Sequence, residues 1–119
     1  MSNRNHLLGP LLRKRRTELG IGLRELAGRV DISPTFISRV ETQQEPRPPS
    51  SACLTALAKE LDLDPDDLLA AAGRVPDDVA SALVSDVDLV RAVRAIVAGK
   101  IAGAEVLAWA KRRGKRANV

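Results

Sequence analysis

Residues 23–42 read Leu23-Arg24-Glu25-Leu26-Ala27-Gly28-Arg29-Val30-Asp31-Ile32-Ser33-Pro34-Thr35-Phe36-Ile37-Ser38-Arg39-Val40-Glu41-Thr42, and their pattern decides the fold. Leu23, Leu26, Ala27 and Val30 fall at i, i+3, i+4 and i+7, which is one apolar face of a helix. The pattern breaks at Asp31 and Ile32. It restarts with Ser33 as an N-cap and Pro34 at the first helical position, where a missing N–H costs nothing. A second helix is therefore predicted from Pro34. Ile37 and Val40 are its inward positions, and Thr35, Phe36, Ser38 and Arg39 are left on the outer face near its start.

Composition bounds what this helix pair can belong to. The chain has 119 residues, enough for one ordinary domain or a small head with a short appended module. Ala, Leu and Arg are abundant, tyrosine is absent, and there is one Phe and one Trp, which favours an all-α protein with an aliphatic core. The single Cys53 excludes an internal disulfide, and no secretory h-region or long apolar run is present, so a cytoplasmic, nucleoid-associated protein with no membrane contact is expected. With one His, one Cys and no Gly-rich phosphate loop, the chain offers no nucleophile–base constellation and no paired metal ligands. Neither an enzyme nor a cofactor or metal is expected. His6 reads as a solvated surface residue.

The net charge of +4 is unevenly spread. Residues 1–50 carry nine Lys/Arg against five Asp/Glu, 51–99 carry four against nine, and 100–119 carry six against one. A basic head and tail around an acidic middle suit a protein that turns particular faces to a polyanion. Most acids of the middle segment stand at predicted helix starts, where they complement the helix dipole.

The stretch quoted above resembles the helix-turn-helix of the phage Cro/repressor-type regulators, the xenobiotic-response-element family. Ala27 sits where the first helix must let the second approach, Ile32-Ser33 form the turn and second cap, and Ile37 follows ten residues after Ala27 as the buried anchor. Ser38-Arg39-Val40-Glu41 matches the family's usual ending. One position departs: the family prefers glycine where this chain has Asp31. A positive φ is expected there, and Asp is among the few other residues that tolerate it.

The resemblance implies sequence-specific binding of double-stranded DNA. Thr35, Phe36 and Arg39 would face the major groove, Arg39 as a bidentate reader of guanine and Phe36 as an apolar contact for a thymine methyl. Arg24, at a helix start with free N–H groups, together with Ser33 and Ser38 would hold phosphates. Arg47, set between prolines in the loop 43–50, falls where the family often places a basic backbone contact, and Gln43 is a weaker candidate. Arg16, four residues before Gly20, occupies the place of an arginine that pairs with the glutamate ending the recognition helix, here Glu41. Arg13 reads either as a phosphate contact or as a solvated charge.

Around the motif, a first helix is expected over about 8–19, with Pro10 in its first turn and Leu8, Leu11, Leu12 and Leu19 lining the core. Residues 1–5 read as a frayed arm in which Arg4 either touches the DNA backbone or is disordered. Ser50 caps a fourth helix carrying Leu54, Leu57, Ala58 and Leu61, with Cys53 as a small hydrophobe beside that stripe. Asp64-Pro65-Asp66-Asp67 starts a fifth that Gly73 stops. These five helices form the expected DNA-binding head, residues 1–73.

Residues 74–119 are expected to form a helical oligomerisation region. Helices are predicted from about 77 to 84, from 85–88 to a stop at Gly99, and from about 102 into a basic tail, Lys111-Arg112-Arg113-Gly114-Lys115-Arg116. So short a region cannot bury its aliphatic side chains alone. Leu89, Val90, Val93, Ile96, Val97, Val106, Leu107 and Trp109 are therefore expected to pair with a second copy, rather than only cap the head. The basic tail reads as a phosphate attractor, a ligand for an acidic protein patch, or a solvated disordered end. The chain as a whole reads as a homodimeric repressor of a palindromic operator. The competing reading is an antitoxin or adaptor whose C-terminal helices bind a different protein.

Overall fold

The computed structural model describes residues 5–117, all of whose regular elements are helices: α1 (Asn5–Glu18), α2 (Leu23–Val30), α3 (Pro34–Glu41), α4 (Ser51–Glu60), α5 (Pro65–Ala71), α6 (Asp77–Ser85), α7 (Val87–Ala98) and α8 (Gly103–Ala117). The arm holding Arg4 and the side chains of His6, Lys115 and Arg116 lie outside what is described. The chain divides into two compact units, residues 1–77 and 78–119.

The first unit is built on one aliphatic cluster. Leu8 and Leu12 of α1, Leu26 and Ala27 of α2, Ile37 and Val40 of α3, Leu54, Leu57 and Ala58 of α4, and Leu68 and Leu69 of α5 are buried together, with Ile21, Leu61 and Ala72 closing it between helices. Helix α1 packs on α3 and α5, and α2 packs on α3 and α4. Side-chain caps open three of the five helices: Ser33 accepts from Phe36 N–H, Ser50 from Cys53 N–H, and Asp64 from Asp66 N–H.

The helices stop by one repeated device. After α1, Ile21 N–H donates to Arg16 C=O and Gly20 N–H to Thr17 C=O around Gly20 at φ 68°, a Schellman ending that satisfies the last carbonyls. After α5 the same ending forms around Gly73 at φ 71°. Elsewhere the left-handed position is held by residues other than glycine: Asp31, Gln43, Asp62 and Lys100. Asp31 has φ 56° and ψ 49°, so the turn inside the helix pair takes the left-handed conformation with the aspartate in place.

Several sequence expectations are corrected. Helix α1 is already formed at Asn5, so Pro10 lies beyond the first turn and deprives the His6 carbonyl of its helical donor. The helix ends at Glu18, and the chain reversal that follows buries Ile21 and leaves Leu19 at 39% exposure. Leu19 is not part of the core. Gly99 is the C-cap that follows α7 and is right-handed, and the left-handed stop is Lys100. The segment carrying Lys111, Arg112 and Arg113 is not an irregular tail, because α8 continues through it to Ala117.

Gly9 is a contact point that periodicity could not reveal. It is buried in α1, and a Cβ added there would lie 2.6 Å from the carbonyl oxygens of both Val40 and Glu41. Only a glycine lets α1 come this close to the end of α3.

The second unit is different in kind. None of its described residues is buried. Helix α7 is capped by Asp86, which accepts from Asp88 and Leu89 N–H, so its local start is well specified. Its Leu89, Val93 and Val97, at i, i+4 and i+8, are nonetheless 38%, 41% and 70% exposed.

Two glycines give a paired test. Gly9→Ala should lower unfolding free energy by about 3 kcal/mol, the upper range for overpacking a filled site. Gly28→Ala, in the interior of α2 with open space around the added methyl, should raise it by about 1 kcal/mol through helix propensity. Urea unfolding of both variants checks the pair, and equal effects would refute the close-approach argument.

Candidate nucleic-acid interface

The geometry of the site starts from how α3 is held. Arg16 in the last turn of α1 donates from Nε to Glu41 Oε2 at 2.8 Å and from Nη2 to Glu41 Oε1 at 3.0 Å, while Nη1 donates to the Ile21 carbonyl at 3.0 Å. The structure thus brings Arg16 and Glu41 together in a bidentate pair whose side chains are 13% and 4% exposed. The hydrogen bonds to Glu41 raise the Arg16 pKa above its ordinary value, burial pulls against them, and the Glu41 charge adds to the rise. The guanidinium therefore stays charged wherever the fold survives. The C-terminal end of α3 is fixed by this pair and by the Gly9 contact, and its N-terminal end by the Ser33 cap.

With both ends fixed, α3 presents Thr35 and Arg39, four residues apart and both exposed, on one face. Ser38 is half-buried beside them. Phe36 is not a free outer-face residue: it is half-buried and packs against the core cluster, which leaves only part of its ring available to a thymine methyl. Ser33 spends its acceptor lone pair on the cap but keeps its hydroxyl hydrogen for a phosphate oxygen.

The flanks of α3 are cationic. Helix α2 starts at Gly22 without a side-chain cap, so its first N–H groups are open to an anion next to the exposed Arg24. Arg47 is exposed in the loop between α3 and α4, and Gln43, also exposed, sits at φ 63° at the start of that loop. Arg13 is exposed on α1.

Three residues that sequence patterns passed over shape this surface. Arg74 donates from Nε to the Pro49 carbonyl at 2.5 Å and from Nη2 to the Pro48 carbonyl at 3.1 Å, which clamps the loop that carries Arg47. Arg15 caps the end of α4 by donating to the Leu61 carbonyl at 2.8 Å and lies 3.8 Å from Glu18 and 3.7 Å from Asp62, so among residues 13–16 Arg15 and Arg16 are engaged within the fold while Arg13 and Lys14 are exposed cations. Glu45 stands 3.5 Å from Arg39 Nε. Cys53 is half-buried against the core, and burial pushes its thiol pKa up, which suits an inert packing residue.

A model of the helix-turn-helix domain matches residues 7–72, more than half of the chain. The chain belongs to the helix-turn-helix domain family. Among solved structures it is similar to the clp gene regulator ClgR from Corynebacterium glutamicum, at 28% identity and a TM-score of 0.51, over 76% of this chain and 89% of that one. A SinR protein/SinI protein complex is also similar, at 20% identity and a TM-score of 0.49, over 94% of this chain and 99% of that one. No curated protein matches the sequence. The helix-turn-helix protein is a DNA-binding transcription regulator of the Cro/repressor type. Among its described residues no helix is long and apolar enough to cross a membrane.

Because the Arg16–Glu41 pair is shielded from water, removing one partner strands the other charge. Arg16→Ala and Glu41→Ala should each cost about 3–5 kcal/mol of stability. The double variant Arg16→Met/Glu41→Leu should cost less than either single change. Urea unfolding of the three variants measures the coupling, and a double-variant loss equal to the sum of the singles would show that the two side chains act independently.

Proposed function

We propose that this helix-turn-helix protein is a repressor that binds a palindromic operator as a homodimer, reading base edges with α3 and blocking the promoter it occupies. The observation that carries the reading is the exposed Thr35–Arg39 face on a helix anchored at both ends. Arg39 takes the acceptors of a guanine, Thr35 and the accessible edge of Phe36 take neighbouring positions, and Arg24, Ser33, Ser38, Gln43, Arg47 and Arg13 hold the phosphates on either side. Residues 1–73 form the reading head and 74–119 the oligomerisation region.

Dimerisation is supported by the second unit's unburied aliphatic surface. Leu89, Val93, Val97, Leu107 and Trp109 are all more than a third exposed, and Val90, Ile96 and Val106 are only half-buried. A second copy covering these side chains removes them from water and places two recognition helices about 34 Å apart, one turn of DNA. A groove of about 530 Å³ between α7 and α8, lined by Ala92, Ala95, Ile96, Ile101, Val106 and Trp109 among others, lies on the same surface. It supports the second reading, in which these helices receive a different protein and the head only regulates its own expression.

Substitution separates the roles. Arg39→Ala should lose about 1–3 kcal/mol of discrimination at one base position per half-site. Arg47→Ala should weaken binding to all duplexes alike and reduce the salt slope by about 1 for each half-site. Titration of labelled duplexes at several salt concentrations checks both, and a uniform loss for Arg39→Ala would move that residue to the backbone. Val93→Glu/Val97→Glu, at exposed positions of α7, should convert a dimer to a monomer by sedimentation while leaving the first unit's melting intact. A wild-type protein that sediments as a monomer at micromolar concentration would contradict the dimer.

A further inference from the structure

Beside Arg39 stands an acid that DNA binding does not obviously need. Glu45 follows the end of α3, where Gln43 turns left-handed and Gln44 N–H donates back to the Arg39 carbonyl at 2.8 Å. That hydrogen bond folds the chain over the last turn of the helix and sets Glu45 against the arginine. Glu45 Oε2 lies 3.5 Å from Arg39 Nε, and the two side chains are unequally sheltered: Glu45 is 18% exposed and Arg39 51%. The carboxylate is tucked in while the guanidinium extends into solvent.

A carboxylate so close to a DNA-binding face repels phosphate, and mutual attraction between exposed charges adds little stability. Its effect lies in which donors it leaves available. A guanidinium carries five N–H groups in a rigid fork. Nε is the guanidinium nitrogen nearest Glu45, so the carboxylate engages the inner edge of the fork and leaves the terminal Nη1 and Nη2 groups to serve as a parallel pair. Two parallel donors are what the O6 and N7 acceptors of guanine require. An unpaired arginine at a protein–DNA boundary is drawn to phosphates, which are equally present in every sequence. Partial neutralisation weakens that pull, and fixing the side chain beforehand lowers the ordering cost of the base contact.

We propose that Glu45 is a specificity-determining positioning residue, which holds the Arg39 guanidinium with its terminal fork toward guanine and away from the phosphates. This rests on the reading of Arg39 as a base contact. Glu45 acts through Arg39 and touches no base itself.

The test uses the full chain with Glu45→Gln, Glu45→Asp and Arg39→Ala, the tightest duplex selected from random sequence, and its single-base variants. Glu45→Gln should reduce discrimination at the Arg39 base position about tenfold, within the range of one bidentate contact. It should at the same time raise affinity for unrelated duplex severalfold and steepen the salt slope by about one per half-site, as the released guanidinium takes a phosphate. A purely structural role would weaken all binding together and could not produce that rise. Glu45→Asp, which retains the charge on a shorter arm, should keep the shallower slope. Discrimination unchanged in Glu45→Gln but lost in Arg39→Ala overturns the role of Glu45 and leaves the base contact standing. Discrimination unchanged in Arg39→Ala overturns the base contact and the role of Glu45 with it. Ratios between duplexes for one variant are independent of how much of the protein is folded, so a less stable variant still decides the matter.

Discussion

The bidentate contact between Arg16 and Glu41 joins the last turn of α1 to the last residue of α3, and the orientation of the exposed Thr35–Arg39 face depends on it. A recognition helix of eight residues cannot fix its own direction: it has two buried aliphatic residues, Ile37 and Val40, and about two turns of length. The ion pair supplies an angular constraint that apolar contact, being non-directional, does not. Gly9 supplies the distance, because its missing side chain lets the two backbones meet at the carbonyls of Val40 and Glu41. Arg16 also binds the Ile21 carbonyl, so the turn that leads into α2 is fixed by the same guanidinium. One cation thus sets the relation among α1, α3 and the entry to α2.

The two units solve the problem of size differently. The first unit concentrates its aliphatic residues on inward faces and seals them with caps and Schellman endings, so that small helices become one core. The second has equally well-defined helices, with an Asp86 cap and a regular α8, yet no buried side chain among those described. Local signals are enough to form helices only when packing adds to them, since short isolated helices are marginal in water. In the proposed dimer a covered α7 surface would serve the second unit's stability as well as the binding of a two-fold operator. Folding and assembly would then be coupled in this part of the chain, and occupancy of DNA would depend on protein concentration.

Much of the first unit was legible because its signals are local. The i, i+3, i+4, i+7 stripe of α2, the Ser33-Pro34 start and the Asp64-Pro65-Asp66-Asp67 start each lie within a few residues, and each forms where the pattern puts it. What stayed hidden is non-local. Arg15 reaches Leu61 and Arg74 reaches Pro48 and Pro49, and no periodicity connects residues 25 to 46 positions apart. Gly9 looked like an ordinary helix glycine, because its reason is a carbonyl on another helix. Leu19 and Gly99 misled for the opposite reason: the stripe and the glycine were real local signals, but the chain reversal selected Ile21 for the core and Lys100 for the left-handed turn. Phe36 shows how one residue can serve the core and the outer face, which a two-way assignment of inward and outward positions does not represent.

Under the proposed function, a rigidly held α3 reads sequence in the context of a two-fold dimer. The most direct test is selection of the tightest binders from random duplex DNA by the purified chain at two salt concentrations. The expected result is a palindrome whose half-sites are centred about one turn apart, with a guanine at a fixed place in each half and enrichment that persists at the higher salt. Binding that shows no enriched sequence at either salt concentration, and vanishes at the higher one, would contradict it.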